Sequence, residues 1–365
     1  MKRARASRQA SGRLSGARPA KPGSLRALAE HLKLSQATVS VVVNNSPAAK
    51  AIPKHTKERV LHAAQKLGYR PNFFARSLSL KRGYMVGVLV PEISEGYAAS
   101  ILRGIEDELL SQGYFYFMAS HRGQAELIRE YPHMLVDRAV EGMILLNTPV
   151  VQVLNVPVVA IAGHQRVPGV TNIAVDNKQA TFAALEHLVR LGHRRIAFFK
   201  GHRGSADTEY RWKGVQRAAT KLGIAVSPRL TAQLQQGVTH PGPSVPEEGY
   251  ESAKKLLEAG EHFTALFAFN DISAIGAVRA FRDAGLRVPE DVSVVGFDDI
   301  QAAAYLTPRL TTVRQPLRLM GETAARQLLE RIARGNGRYP QVILLPPELV
   351  VRESTGPANP NHRGH

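Results

Sequence analysis

The chain has 365 residues, of which 44% are hydrophobic, enough for two or three domains with filled cores. It contains no cysteine, which excludes disulfides, thiolate metal ligands and cysteine nucleophiles and fits a reducing cytosol. Residues 1–82 hold 18 Lys and Arg but only two acids, Glu30 and Glu58, whereas the remaining residues hold 30 basic and 28 acidic side chains. A basic head on a nearly neutral body indicates binding to a polyanion such as the DNA backbone, with a solubilising tail as the alternative.

Residues 1–22 are rich in Arg, Ser and Ala and contain no acid. They have no apolar segment of the kind found in a secretory signal, although an organellar transit peptide would have a similar composition. We expect a disordered basic arm, because nothing in these residues could form a core. No apolar run in the sequence is long enough to span a membrane, and we expect a cytoplasmic, nucleoid-associated protein.

Residues 23–71 have the pattern of three short helices. Apolar residues recur at helical spacing from Ser24, a good N-cap, to Leu32. Ser35 then begins a second helix, Gln36–Val43, and a third amphipathic helix covers 56–67. Two short helices joined by a tight turn are typical of a helix-turn-helix, with an ordinary helical hairpin as the alternative. In that motif the residues facing the major groove and the phosphates would be Ser35, Gln36, Ala37, Thr38 and Ser40.

The segment that follows carries the most specific motif. The strings TVSVVVNNSP and YRPNFFARSL strongly resemble the LacI/GalR family of bacterial transcription regulators, and the resemblance extends from about residue 23 to residue 353. It implies a hinge and linker over 72–83, with a hinge helix that folds on operator DNA and meets its counterpart in the minor groove. Leu78 matches the leucine that wedges between base pairs, with a plain linker leucine as the alternative. The other DNA contacts that the resemblance implies are Val41, Asn44, Asn72, Ala75 and Arg76.

Two residues depart from the family pattern in the head. Val41 stands where many members carry an arginine, so base readout would depend on Gln36, Ala37, Ser40 or a contact of Val41 with a thymine methyl. Lys33 stands where the turn usually has glycine, and it must adopt a left-handed conformation or the turn must be remodelled. Both departures concern which operator is read.

From residue 84 to residue 354 strands and helices alternate. Met85–Val90 is a buried strand, followed by a helix over 98–110 and a strand over 114–119, and a second such series begins near residue 181. This alternation predicts an α/β body of two doubly wound parallel-sheet lobes, with a ligand in the cleft at the carboxyl ends of the strands. Residues 355–365 have no heptad pattern and are expected to be a disordered tail.

No catalytic or metal-binding motif stands out in the body. The sequence has no dinucleotide-binding glycine motif, no P-loop and no nucleophile elbow. His187, His193 and His262 lack zinc-ligand spacing and are expected at the surface or at helix ends, so we expect no metal and no cofactor. Asp298 and Asp299 are adjacent in an extended chain and should point apart, which disfavours a catalytic pair. The sequence therefore predicts that the protein is not an enzyme.

The family resemblance gives the body a ligand instead. The strings FAFNDISAIGAV, SVVGFDD and LTTVRQP match members whose body is similar to the periplasmic sugar-binding fold. Arginine, carboxylates and amides suit a hydroxyl-rich effector. Trp212 would either stack on a sugar or pack within the lobe. The remaining effector-site residues that the resemblance implies are Ile93, Ser94, Tyr97, Arg211, Asn270 or Asp271, and Asp298.

The expected function is sequence-specific transcription regulation, with repression as the family's tendency. A homodimer would read a pseudo-palindromic operator, and effector binding would shift the lobe arrangement that controls the hinge. Ala162, Gly163 and His164 stand where many sugar-responsive members carry an acid, so the effector could be an unusual sugar, a nucleoside-like compound or something else. The rival classes are a sugar-binding transport protein and a carbohydrate-processing enzyme.

Overall fold

The computed structural model describes residues 24–44, 46–69, 82–93, 96–163, 166–203, 205–235, 245–335 and 337–359. The chain divides into two compact units, Met1–Gly83 and Tyr84–His365. The predicted arm over 1–22 and most of the predicted hinge over 72–83 lie outside the described residues.

The first unit is built from three helices, α1 (Leu25–Leu32), α2 (Gln36–Val43) and α3 (Lys54–Lys66). The Ser24 hydroxyl accepts a hydrogen bond from the Ala27 amide, and the Ser35 hydroxyl accepts one from the Thr38 amide, which confirms both predicted N-caps. One apolar residue set from all three helices forms the core of this unit. Its buried members are Leu28, Ala29, Leu32, Val39, Val42, Val60, Ala63 and Ala64.

The turn between α1 and α2 depends on a left-handed lysine. Lys33 has φ 55° and ψ 40°, and its amide donates to the carbonyls of Ala29 and Glu30. The turn therefore keeps its usual geometry with a side chain where glycine is favoured, which confirms the first of the two alternatives for Lys33.

The second unit contains twelve strands and seven helices among its described residues. The strands are β1 (Met85–Val90), β2 (Phe115–Ser120), β3 (Gly142–Leu146), β4 (Val158–Ile161), β5 (Val170–Val175), β6 (Ile196–Lys200), β7 (Thr231–Gln233), β8 (Ala265–Phe267), β9 (Ser293–Asp298), β10 (Thr311–Arg314), β11 (Val342–Leu345) and β12 (Glu348–Val350). The helices are α4 (Tyr97–Ser111), α5 (Ala125–Val136), α6 (Asn177–Arg190), α7 (Ala206–Leu222), α8 (Pro246–Glu258), α9 (Asp271–Asp283) and α10 (Leu317–Arg334).

These strands form two six-stranded sheets, one in each lobe. Lobe 1 has the order β11-β5-β4-β3-β1-β2, and lobe 2 has the order β12-β10-β9-β8-β6-β7. All described strand pairs are parallel except β10 with β12. Each sheet has a hydrophobic core on both faces, as parallel sheets require. The predicted body of two doubly wound lobes is confirmed.

The chain crosses between the lobes three times. It passes from β5 to α6 at Asp176, from β10 to α10 at Gln315 and Pro316, and from β11 to β12 at Pro346 and Pro347. After the second crossing α10 packs against α4 and the strands of lobe 1. Each lobe is therefore assembled from two separate stretches of chain.

The body begins at a fixed point. Tyr84, its first residue, has φ 47°, and its amide donates to the Glu141 carboxylate at 2.7 Å. The Tyr114 hydroxyl donates to the other carboxylate oxygen at 3.0 Å, and the rings of Tyr84 and Tyr114 are 5.4 Å apart. Glu141 thus holds the start of the body against the N-terminal end of the lobe 1 sheet.

Residues 355–358 are bonded to lobe 2, so the expectation of disorder from residue 355 onward was wrong for them. The Ala358 amide donates to the Leu191 carbonyl at 2.8 Å, and the Gly356 amide donates to the Ser293 hydroxyl at 3.0 Å. His193 donates from Nε2 to the Gly356 carbonyl at 3.0 Å. This histidine lies just beyond the C-terminal end of α6, one of the two expected environments, and it is buried there, which lowers its pKa.

Candidate functional sites

The second helix of the head has one face in the core and one face in solvent. Val39 and Val42 are buried against α1 and α3, whereas Ser35, Gln36 and Ala37 are exposed. The exposure of these three residues agrees with the predicted DNA-facing side of a recognition helix. The other predicted contact residues of this region are half-buried, namely Thr38, Ser40, Val41 and Asn44.

Several polar residues of this face are bonded to one another. The hydroxyls of Ser35 and Thr38 lie 2.8 Å apart, and the side-chain amide of Asn44 donates to the Ser40 hydroxyl at 3.2 Å. Gln36 is the polar side chain of the predicted set with no hydrogen bond to another described residue. Its amide offers both donors and acceptors, the pattern that reads adenine in the major groove.

The surface of the head is strongly basic. Both acids of the head form ion pairs with residues of the same helix: Glu30 pairs with Arg26 at 2.9 Å and Glu58 pairs with Lys54 at 3.9 Å. Residues 24–69 contain no further acid, so their other cations have no carboxylate of the head to pair with. Those cations are Lys33, Lys50, Lys57, Arg59 and Lys66. The remaining predicted DNA contacts, Asn72, Ala75, Arg76 and Leu78, lie outside the described residues.

Polar side chains from both lobes converge in the cleft between them, which we call the interlobe cleft. Tyr97 begins α4 in lobe 1, and Arg211 lies on α7 in lobe 2. Asp298 ends β9 and is buried. The lobes approach closely here, since a Cβ atom on Gly96 of lobe 1 would lie 2.9 Å from Ile300 of lobe 2. The predicted group of Tyr97, Arg211 and Asp298 is brought together at the carboxyl ends of the strands, as the fold requires.

Arg211 is buried and held from several sides. Its guanidinium donates to the carbonyl of Phe269 and, at 3.4 Å, to the side-chain oxygen of Asn177. The guanidinium carbon lies 3.6 Å from the ring centroid of Phe297 and 4.5 Å from that of Phe269. Stacking on two aromatic rings fixes the orientation of the Arg211 guanidinium group in the cleft.

Asp298 is a buried carboxylate beside other acids. Gln315 donates to its Oδ1 at 2.7 Å. Burial raises the pKa of Asp298 to about 7, and Asp207 acts in the same direction, while Arg211 and the Gln315 hydrogen bond oppose the shift. Burial and the charge of Asp298 raise the pKa of Asp271 well above its ordinary value. Asp298 is therefore a buried carboxyl group that ionises near neutral pH.

Two buried hydroxyls beside this group form no well-aligned hydrogen bond among the described residues. The Tyr97 hydroxyl lies near the Asn147 side chain. Burial together with the charges of Asp207 and Asp298 raises the pKa of Tyr97 well above its ordinary value, while Arg211 and Asn147 oppose the shift. The Thr208 hydroxyl, on the same helix as Arg211, is also buried and unpartnered. Because leaving a buried hydroxyl unsatisfied costs free energy, both mark positions where a bound molecule could complete the hydrogen bonding.

The other predicted effector residues have different environments. Asp271 is fully buried, and its carboxylate accepts from the Thr312 hydroxyl at 2.5 Å and the Ile300 amide at 2.9 Å. Asn270 caps α9 through its side-chain oxygen. Ile93 is 67% exposed, and Ser94 lies outside the described residues. The polar groups of Asp271 and Asn270 are thus engaged within lobe 2.

Trp212 packs within lobe 2. Its ring lies edge-on to Phe198 with centroids 6.0 Å apart, and the Lys200 ammonium is 4.8 Å from its centroid. The packing alternative is therefore the one that the structure shows. Asp299 is bonded to Arg314 at 2.7 Å and Arg352 at 2.6 Å, away from the Gln315 contact of Asp298, so the two neighbouring acids do point apart.

Three cleft residues were missed by the sequence analysis. Asp207 and Thr208 lie about one helical turn before Arg211, so helical spacing from the arginine would have indicated both. Gln315 directly follows β10 and stands within the string LTTVRQP, where the strand-end rule would have selected it.

Comparison with known proteins explains both units. The pattern described as "Bacterial regulatory proteins, lacI family" matches residues 24–72, and "Periplasmic binding protein-like domain" matches residues 185–355. The HTH-type transcriptional repressor PurR of Haemophilus influenzae is 30% identical over 343 residues, covering 90% of this chain and 98% of the relative. The chain belongs to the lacI family of bacterial regulatory proteins.

Solved structures of the lacI family agree with this assignment. A Lac repressor dimer bound to operator and the anti-inducer ONPF has a TM-score of 0.79 at 28% identity, covering 92% of this chain and all of that one. A complex of the transcriptional regulator CelR with cellobiose has a TM-score of 0.66 at 30% identity, covering 91% of this chain and 99% of that one. The protein is thus a transcriptional regulator with a helix-turn-helix head and an effector-domain fold.

Two absences apply to the described part of this lacI-family chain. None of its described helices is both long and apolar enough to cross a membrane. No group of three or more His, Asp or Glu side chains among the described residues could hold a metal ion.

Proposed function

We propose that the protein is a repressor that binds a pseudo-palindromic operator as a homodimer and whose DNA affinity is set by a neutral, hydroxyl-bearing effector. The observation that carries the proposal is the convergence of Tyr97, Arg211 and Asp298 in the interlobe cleft, with the buried hydroxyls of Tyr97 and Thr208 lacking a well-aligned hydrogen bond. The curated relatives are named repressors, which supports the direction of regulation. An operator-binding protein acts at the nucleoid, and the proposal includes no catalytic step.

The chemistry of the cleft favours a neutral ligand. Arg211 is the buried cation, and its charge is offset by Asp207 and Asp298. A phosphate or carboxylate on the ligand would meet those acids, whereas a hydroxyl can donate to a carboxylate and accept from an arginine or a tyrosine. Sugars and nucleosides have such hydroxyls, and the CelR structure contains cellobiose.

The position of the ligand explains how it could act on DNA binding. Tyr97 belongs to lobe 1, whereas Arg211 and Asp298 belong to lobe 2, so a molecule that bonds to all three favours one arrangement of the lobes. The lobe arrangement then biases whether two 72–83 segments can meet in the minor groove, with Leu78 as the wedge.

The homodimer is proposed to form along strand β2. This strand lies at the edge of the lobe 1 sheet, and it exposes 70% of Phe115 and 40% of Phe117. Two further apolar residues are exposed nearby, Met118 on the same strand and Leu110 near the end of α4. An exposed apolar edge strand is a self-association surface, and the Lac repressor structure that this chain resembles is a dimer.

The ligand proposal is tested with Tyr97→Phe in the full chain. A panel of neutral sugars, nucleosides and their phosphorylated forms is first screened by thermal shift, and a stabilising compound is then titrated by calorimetry. We expect a neutral hydroxyl compound to bind, and Tyr97→Phe to weaken it at least tenfold. Tyr116→Phe is the control, because its hydroxyl lies near Glu106 in lobe 1. Equal affinity in both variants would contradict the assigned site.

The DNA and dimer proposals have their own tests. Deleting residues 1–83 should abolish the selection of specific genomic fragments in a mobility-shift assay, and retained selection would overturn the operator proposal. Phe115→Ser with Phe117→Ser should convert the dimer to a monomer in sedimentation equilibrium. Val153→Ser changes an apolar residue outside β2 that is even more exposed, and it should leave the mass unchanged.

A further inference from the structure

Lobe 2 has a second concave site on its outer side, between α6 and α7, which we call the basic groove. It has a volume of about 450 Å³, in the range of small-molecule sites. Lys178, Gln179 and Phe182 of α6 form one wall, and Arg217 and Lys221 of α7 form the other. Three cations line the groove and no acid does. Its lining shares no residue with the polar group of the interlobe cleft.

Two of the three groove cations belong to a run of basic residues on α7 that forms no ion pair among the described residues. Lys213, Arg217 and Lys221 follow one another at i,i+4 spacing, which places like charges side by side on the helix and destabilises it. Neither these three nor Lys178 has an ion-pair partner among the described residues.

Other helices of the body pair their cations at the same spacing. Such pairs are Arg190 with Glu186 on α6, Lys254 with Glu258 on α8, Arg279 with Asp283 on α9, and Arg318 with Glu322 and Arg334 with Glu330 on α10. The run on α7 thus departs from the pattern of these helices, and the basic groove opens beside it.

We propose that the basic groove binds a small phosphorylated metabolite. Arg217 can hold two phosphate oxygens with its fork, and Lys178 and Lys221 supply charge from the two opposite walls. Phe182 gives the groove an apolar surface for the organic part of the ligand, and the Lys221 ammonium lies 5.8 Å from its ring centroid. The ligand class differs from that of the interlobe cleft, where Asp207 and Asp298 oppose an anion.

The groove is structurally connected to the cleft. The two helices touch at Gly214, where a Cβ atom would lie 2.6 Å from the Thr181 hydroxyl and 2.8 Å from the Asn177 carbonyl. Asn177 also accepts the hydrogen bond from Arg211. An anion that bridges Lys178 to Arg217 would therefore stabilise the packing of α6 against α7. Because these helices position Arg211, the phosphorylated compound would act as a second effector.

The test is hydrogen exchange of the full chain, read peptide by peptide by mass spectrometry, with inorganic phosphate against chloride at equal ionic strength. Local readout is needed because the basic head also attracts phosphate. We expect phosphate to slow exchange at least threefold in 177–190 and 206–222. Arg217→Gln with Lys221→Gln should remove this protection, and Arg129→Gln with Arg338→Gln, the same charge change on exposed residues elsewhere, should keep it.

Three outcomes would overturn the proposal. The first is phosphate protection confined to residues 25–66. The second is protection of α6 and α7 that both double variants lose equally. The third is protection that survives Arg217→Gln with Lys221→Gln but disappears in Arg211→Gln, which would place the anion in the interlobe cleft. None of these results depends on the identity of the cleft effector, so the two proposals fail separately.

Discussion

Replacing Asp298 with asparagine should stabilise the body while removing a charge from the interlobe cleft. Asparagine keeps an oxygen to accept the hydrogen bond from Gln315, and it tolerates the φ of 118° at this position about as well as aspartate does. The substitution therefore changes charge with little change in shape. Removing the charge also relieves Asp271, whose pKa is raised partly by Asp298.

The magnitude follows from the raised pKa. A carboxyl whose pKa rises from 3.8 to about 7 on folding favours the folded state less and less as the pH increases. Below pH 3.8 the carboxyl does not reduce the free energy of unfolding, and above about pH 7 it reduces it by the full amount. At about 1.4 kcal/mol for each pH unit between them, the loss is on the order of 4 kcal/mol at pH 8 and about 2 kcal/mol at pH 5.

Thermal unfolding at several pH values measures this gain. With about 2 °C for each kcal/mol in a body of this size, Asp298→Asn should raise the Tm by on the order of 8 °C at pH 8 and by about half as much at pH 5. Asp283→Asn is the control, since Asp283 is paired with Arg279 at the surface and should show a small decrease. A Tm for Asp298→Asn that is unchanged or lower at pH 8 would refute the reasoning.

Three further predictions concern other parts of the chain. Lys33→Gly should stabilise the head by up to about 1 kcal/mol in thermal unfolding, because glycine adopts the left-handed conformation without a steric penalty. Lys50→Gly is the control and should not stabilise the head. Equal effects of the two substitutions would contradict the turn geometry. The free energy of unfolding of lobe 2 should fall as the pH drops from 6.5 toward the lowered pKa of His193, because the histidine of the unfolded chain is protonated first. His193→Gln should make the dependence of stability on pH less steep in this range. An unchanged dependence would contradict the role of His193. Deleting residues 1–22 removes seven Lys and Arg and should reduce the slope of log K against log salt by up to about 6 in DNA titrations, and an unchanged slope would exclude arm–phosphate contacts.

Helices with caps and doubly buried strands could be predicted because their signals are local. The hydroxyls of Ser24 and Ser35 precede apolar periodic segments, and β1 and β4 are short, continuous apolar runs with Pro91 or Pro157 beside them. The strands β7 and β12 have three residues each, too few to show a period. β11 alternates between exposed and half-buried residues, so its pairing with β5 depends on the rest of the sheet.

The site could be predicted where it follows strand ends and not where it depends on lobe closure. Asp298 stands at the end of a strand, and a parallel sheet places such residues in the cleft. The approach of Tyr97 to Asp207 and Arg211 joins residues more than 100 positions apart in different lobes, and no local pattern encodes that contact. The burial of Asp271 has a similar origin, because its partners Thr312 and Ile300 come from later segments.

The three crossings between the lobes have a consequence for biosynthesis. Because β11 and β12 are among the last segments to be made, the lobe 1 sheet cannot be completed until the chain has been synthesised past Leu345, and the lobe 2 sheet not until it has been synthesised past Val350. The head ends at Gly83 and can form its own core long before that. A chain interrupted after Arg334 would leave β5 and β10 as open edges, since it lacks the strands that pair with them. Such a product would carry a complete DNA-reading head on a body prone to aggregate, so premature termination is a hazard specific to this interleaved architecture.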